Sequence, residues 1–223
     1  MLTLLQVKNK SVPKLEGLLA PVRAAAERLI ERCYARDIPI VITQGLRTIA
    51  EQDKLYAQGR TSAGSIVTNA KGGYSYHNFG VAIDFALLSA DGKQVYWDTK
   101  RDGNANKVAD WAEVVDEAKR LGFAWGGDWT SFKDYPHFEM TFGLTTAQLR
   151  AGIRPTAAQI AAAMAIITKE DSYTMKAEDA NDLIKRYLQP AWAACKQKGD
   201  TAGMQEAHRL ANELRKASGQ KEQ

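Results

Sequence analysis

Two histidines and an aspartate, His77, Asp84 and His137, are the residues of this chain best suited to hold a metal. The first two share Ser75-Tyr76-His77-Asn78-Phe79-Gly80-Val81-Ala82-Ile83-Asp84, and the third lies in Asp134-Tyr135-Pro136-His137-Phe138-Glu139. Imidazole nitrogens and carboxylate oxygens are the donors of catalytic zinc sites, which take three protein ligands and leave a position for water. Two neutral imidazoles and one carboxylate leave the ion with a formal charge of about +1, which acidifies bound water and polarises a carbonyl. That is the chemistry of a mononuclear zinc hydrolase. The odd spacing between His77 and Asp84 puts them on opposite faces of an uninterrupted strand. A bend or bulge at Gly80 is therefore needed to re-aim His77. Without it, the pair reads as a core histidine and a capping aspartate.

Hydrolysis also needs a base within hydrogen-bond reach. Asp134, in a proline-containing turn just before His137, is the first candidate. Glu139 lies on the same strand face as His137 and competes, but it is better suited to orient a ligand imidazole. Arg47, in the turn after the first strand, is the candidate cation for negative charge developing on a carbonyl oxygen. Ser75 and Gln44 are candidate substrate contacts, and Tyr76, Trp125 and Trp129 candidate cleft walls. His208, in a charged C-terminal helix, reads as a surface residue.

The elements that must position these groups follow from periodicity. Residues 14–36 carry apolar side chains at helical spacing, from Leu15 to Cys33, and residues 38–43 read as a buried strand. Thr48 caps a helix over 49–58, with Glu51 completing a capping box. Residues 59–76 form a long polar loop of the kind that carries function in a compact domain. Residues 79–88 are the second strand, with Val81, Ile83 and Phe85 on one face and Ala82, Asp84 and Ala86 on the other. The alanines keep the Asp84 face clear. Residues 107–121 form a helix with Val108, Trp111, Val114, Val115 and Ala118 on its apolar face, stopped by Gly122. A glycine- and tryptophan-rich loop leads to a third strand at 137–142. Arg154-Pro155-Thr156 then reads as a linker, and 157–167, 177–198 and 201–217 as three helices. This predicts a catalytic domain over 1–150 and a helical domain over 156–223.

A chain of 223 residues, 45% hydrophobic and 25% charged, suits one globular domain with a small appendage. A net charge of +4 and a pI near 9.0 favour approach to polyanions. No block of five or six Lys/Arg is present, so no nucleic-acid partner is expected. No segment reaches the length of an apolar membrane span, so no membrane insertion is expected. The N-terminus has neither the basic region nor the apolar run of a signal peptide, which predicts a cytoplasmic start. Cys33 and Cys195 lie outside any Cys-x-x-Cys pair and are expected as free thiols.

Ser75 to Asp84 fits the pattern S-x-H-x-x-G-x-A-x-D at every fixed position, and Asp134-Tyr135-Pro136-His137 supplies a later D-x-x-H. In this the chain resembles the VanX/VanY-like zinc D,D-peptidases of peptidoglycan. Gln44-Gly45-Leu46-Arg47-Thr48, Glu51-Gln52 and Leu55-Tyr56-Ala57-Gln58-Gly59-Arg60-Thr61 narrow the resemblance to L-alanyl-D-glutamate endopeptidases of phage endolysins and some Bacillus wall enzymes. It implies Zn2+ on His77, Asp84 and His137, Asp134 as base where VanX-like members carry glutamate, Arg47 for the oxyanion and Ser75 for substrate. The implied fold is α+β, a small central antiparallel sheet with flanking helices (Hedgehog/D,D-peptidase-like). The tail adds a small C-terminal all-α domain, unlike SH3-type wall-binding repeats and a candidate wall-binding element by position. The implied reaction cuts the stem peptide of bacterial peptidoglycan between L-Ala and D-Glu. An endolysin of this kind accumulates in the host cytoplasm and reaches the wall when a holin opens the membrane. A D-Ala-D-Ala carboxypeptidase on the same scaffold and a non-catalytic zinc-stabilised wall-binding module remain as alternatives.

Overall fold

The strand β2 (Ala82–Leu88) is the spine of the first part of the chain in a computed structural model, which describes residues 2–169, 177–218 and 220–221. The chain divides into two units, Met1–Lys169 and Glu170–Gln223. In the first unit, β1 (Ile40–Gln44) pairs antiparallel with one edge of β2, and β5 (His137–Glu139) with the other. β4 (Ala124–Trp125) extends the sheet beyond β5, and β3 (Val95–Tyr96) pairs with the end of β2 at Leu87 and Leu88. The resulting five-stranded antiparallel sheet is flanked by helices, the α+β class expected.

Alternation along β2 decides what each face does. Ile83 and Phe85 are fully buried, and the Phe85 ring lies 5.0 Å from Phe138 and 4.4 Å from Trp111. Each such side chain stabilises the fold by roughly 1.5–3 kcal/mol through burial. The other face carries Asp84 between Ala82 and Ala86, both without exposed surface.

The helix expected over 14–36 is shorter, Ala20–Tyr34, and a separate helix that was not expected lies ahead of it. α1 (Leu4–Leu15) starts with a capping box between Thr3 and Gln6, and α2 (Ala20–Tyr34) carries Pro21 in its first turn. Proline is tolerated there because the missing N–H would have no helical acceptor, whereas inside a continuous helix it breaks a bond and clashes. Gly17, at φ +73°, turns the chain between them. The Ser11 hydroxyl of α1 accepts from the Ile42 amide at 3.0 Å and ties α1 to β1.

α3 (Ile49–Ala57) begins with the expected Thr48–Glu51 capping box. α4 (Asp110–Arg120) buries Trp111, Val114, Val115 and Ala118, while Val108 falls before it and is exposed. α5 (Thr146–Arg150) and α6 (Ala157–Thr168) follow. α6 packs on α2 with Ile167 buried and Ala163 and Met164 against the same core. The division therefore lies after Lys169 and not at the Arg154-Pro155-Thr156 linker, because α6 closes the first unit's core.

The second unit is helical, as expected. α7 (Ala177–Leu183) runs through a π-turn (Ile184–Leu188) into α8 (Gln189–Lys198). Gly199, left-handed at φ +67°, ends α8, and Asp200 caps α9 (Thr201–Ala217). His208 is exposed on α9, as expected. Cys33 and Cys195 are both free. Among the described residues, no helix is long and apolar enough to cross a membrane.

Candidate active site

His77 is not part of β2. It sits in a single 3-10 turn, Tyr76–Phe79, closed by Gly80 at φ +67°. A Cβ on Gly80 would come within 2.5 Å of the Gly17 carbonyl oxygen, so both conformation and space require glycine. That turn reverses the parity of the strand and brings His77 to the Asp84 face. On the other side, β5 pairs His137 directly opposite Asp84. The turn after β1 clasps the 3-10 turn. The Arg47 amide donates to the His77 carbonyl at 3.1 Å, and the Asn78 side-chain amide donates to the Arg47 carbonyl at 2.8 Å.

Three ligand-capable atoms converge as a result. His77 Nε2 lies 3.1 Å from His137 Nδ1, and each lies 3.2 Å from Asp84 Oδ1. The outer nitrogens fix what faces inward. His77 Nδ1 lies 2.8 Å from the Gly45 carbonyl, an acceptor only, so this nitrogen carries the proton. His137 Nε2 lies 3.1 Å from Glu139 Oε2 and donates to that carboxylate. Two imidazole lone pairs and a carboxylate oxygen then point at one another, an arrangement that repels itself unless a cation lies between. Zinc–ligand bonds of about 2.0–2.1 Å in tetrahedral geometry put ligand atoms about 3.3 Å apart, so the donor set fits such an ion. His77 and His137 are buried and Asp84 is half-buried.

Without an ion, a proton takes its place. Burial disfavours the imidazolium of His137, but hydrogen bonds to Asp84 and Glu139, with their charges, push its pKa up to about 9. Burial alone would raise the Asp84 carboxyl; the charge and hydrogen bonds of His77 and His137 outweigh it and hold it well below the usual carboxylate range. A metal taken up between these atoms would have to expel the His137 proton, so its affinity would be expected to climb about tenfold per pH unit and level off above pH about 9. The metal-free fold has the opposite dependence. A folded-state pKa raised above 6.5 contributes stability that is complete below 6.5 and is lost as pH rises through about 9. Chelator competition and thermal unfolding between those pH values check both, and a pH-independent affinity would contradict the assignment.

The three atoms open into a cleft of about 700 Å³. Asp134 lines it, with no hydrogen bond or ion pair to its carboxylate among the described residues. Burial first, then the negative charge of Asp84, raises its pKa against the opposing pull of His137, His77 and Arg47. Arg47 lines the cleft as well. Its Nη1 donates to Gln52 Oε1 at 2.8 Å, and Nη2 stands 3.4 Å from Asp84 Oδ2. Ser75, Tyr76, Trp129 and Glu139 also face the cleft, and the Trp129 ring lies 5.1 Å from that of His137.

Two expectations need correction. Gln44 does not line the cleft: a bulge between Ile42 and Gln44 turns Thr43 inward instead, and the Gln44 amide donates to the Leu46 carbonyl. Trp125 does not line it either, because its indole N–H donates to the Tyr135 carbonyl at 2.7 Å and its ring packs on Tyr135. Sequence reasoning missed Gln52 as a site residue. It is fully buried, bonds Arg47, and donates to the Ala70 carbonyl at 2.6 Å, linking Arg47 to the loop 68–70. A glutamine four residues after a helix cap, on the helix's inner side, was the available signal.

Residues 68–140 match the family described as D-alanyl-D-alanine carboxypeptidase, and with a well-covered relative 56% identical the chain belongs to the M15 peptidase family. It is a peptidase. That relative is the peptidoglycan L-alanyl-D-glutamate endopeptidase CwlK of Bacillus subtilis, aligned over 119 residues, 53% of this chain and 71% of CwlK. The L-alanyl-D-glutamate peptidase of Listeria phage A118 is 31% identical over 134 residues, 60% of this chain and 42% of the phage protein. Among solved structures, the L-Ala D-Glu endopeptidase ChiX of Serratia marcescens aligns with a TM-score of 0.44 at 22% identity, over 60% of this chain and 87% of that one.

Proposed function

We propose that this chain is a zinc-dependent peptidoglycan endopeptidase that hydrolyses the bond between L-Ala and D-Glu of the stem peptide. The observation that carries the reading is the convergence of His77 Nε2, His137 Nδ1 and Asp84 Oδ1 at 3.1–3.2 Å, with both outer protons already committed. The substrate bond comes from the named activities of the Bacillus and Listeria phage relatives. Zinc held by these residues would supply a Lewis acid that activates water and polarises the scissile carbonyl. Asp134, with no competing partner among the described residues and a raised pKa, takes the proton from the attacking water and delivers it to the leaving D-Glu nitrogen. Arg47 steadies the outer oxygen of Asp84 and offers positive charge to the carbonyl oxygen as it becomes anionic. Glu139 fixes the His137 ring, and Ser75 contacts the substrate.

Digestion of purified peptidoglycan tests the reaction. New N-terminal D-Glu is expected in the products; released D-Ala with no new D-Glu terminus would instead establish the carboxypeptidase. A role in host lysis, with cytoplasmic accumulation and release through a holin, is part of the same proposal and draws on the phage relative. It predicts that bacteria expressing the chain lyse only when a holin is co-expressed.

A further inference from the structure

The peptide at the proposed scissile bond offers little to an aromatic surface, since L-Ala presents a methyl group and D-Glu a carboxylate. The cleft nevertheless holds three large rings that the fold leaves half in solvent; Tyr74, 50% exposed, is covered by the Arg150 guanidinium at 3.7 Å, and among the described residues the other two are not so occupied. Trp97, 52% exposed, comes from the segment after β3, and Phe132, 49% exposed, from the loop before β5. Among the described residues the Trp97 indole N–H makes no hydrogen bond, and neither ring stacks on another aromatic. Trp129 differs, packed on the His137 ring.

Phe132 is also held at φ +48°. A bulky side chain rarely adopts the left-handed region, and residues that do so cluster at ligand-binding sites. Half-exposed aromatics in a cleft are recognition surface rather than unfinished core.

In peptidoglycan, L-Ala is joined through a lactyl group to an N-acetylated amino sugar. A pyranose has an apolar face of C–H bonds and a rim of hydroxyls. An aromatic ring covers the first, and an indole N–H meets the second. We propose that Trp97 and Phe132 form a saccharide subsite, so that the enzyme recognises the stem peptide together with the glycan sugar that bears it. The identity of that sugar rests on the L-Ala–D-Glu reading above.

Two measurements test it. The first compares kcat/KM for a disaccharide-linked pentapeptide with that for the same pentapeptide acetylated on L-Ala. The full chain should favour the sugar-bearing substrate by about tenfold. Trp97→Ala and Phe132→Ala should each shrink that ratio severalfold through KM of the sugar-bearing substrate, a readout that loss of folded protein does not move. A ratio near one, or one untouched by both substitutions, overturns the proposal. The second titrates peptide-free glycan strands into the metal-loaded chain and follows tryptophan fluorescence. Quenching is expected, and its loss in Trp97→Ala; no binding by the unsubstituted chain overturns the subsite. Glycan binding without cleavage between L-Ala and D-Glu would remove the assigned reaction and leave the subsite standing, whereas cleavage with no glycan preference would do the reverse.

Discussion

Replacing His137 with alanine should strip the chain of metal and of hydrolysis together. The substitution removes one of three donors and leaves Asp84 and Glu139 without the imidazole between them. If three ligands share about 12 kcal/mol of binding, losing one lowers affinity roughly a thousandfold. Metal content after dialysis, read with turnover on purified wall, decides the matter. His208→Ala is the control, because His208 is exposed on α9 in the second unit and should change neither reading. Full metal content in His137→Ala would show that the ion is held elsewhere.

Asp134→Asn should separate the two properties. Asn keeps the shape, and among the described residues the Asp134 carboxylate makes no hydrogen bond to lose. The metal should stay and thermal stability should hold or rise slightly, since a partly buried carboxylate repelled by Asp84 is neutralised. Turnover should fall about 10²- to 10⁴-fold, the usual contribution of a positioned base. The pH profile supplies a second reading. The base works deprotonated, so activity should drop on the acid side at a pH above that of an unperturbed aspartate, in line with the raised pKa of Asp134. Loss of metal in Asp134→Asn would make Asp134 a ligand, and retained turnover would move the base to another residue such as Glu139.

Much of the scaffold was legible because its determinants are local. A capping threonine and a glutamate three positions on were enough for the start of α3, and alternation in residues 82–88 was enough to separate the Phe85 face from the Asp84 face. The start of α2 was placed too early because apolar side chains keep helical spacing from Leu15 through Leu18, Leu19 and Val22, whereas Gly17 turns the chain and Pro21 falls in the first turn of α2; α1 was not anticipated. The domain division was displaced for a different reason. A proline-containing linker is visible in sequence, but whether α6 returns to the core depends on burial against α2.

The candidate site divides along the same line. Residue types and the motif around His77 determined by themselves which side chains could hold an ion, and they required a break at Gly80, because donor chemistry and strand parity are properties of the chain. Tertiary structure alone decided that Nε2 of His77 and Nδ1 of His137 are the inward nitrogens, since a carbonyl from the turn after β1 and a carboxylate from β5 hold the opposite ones. It also decided that Thr43 and not Gln44 faces the cleft, that Gln52 braces Arg47, and that Trp97 and Phe132 both line the cleft. Apart from Gln52, whose place after the α3 cap was a local signal, those outcomes depend on a one-residue bulge and on contacts between segments far apart in the chain, and no local pattern encodes either.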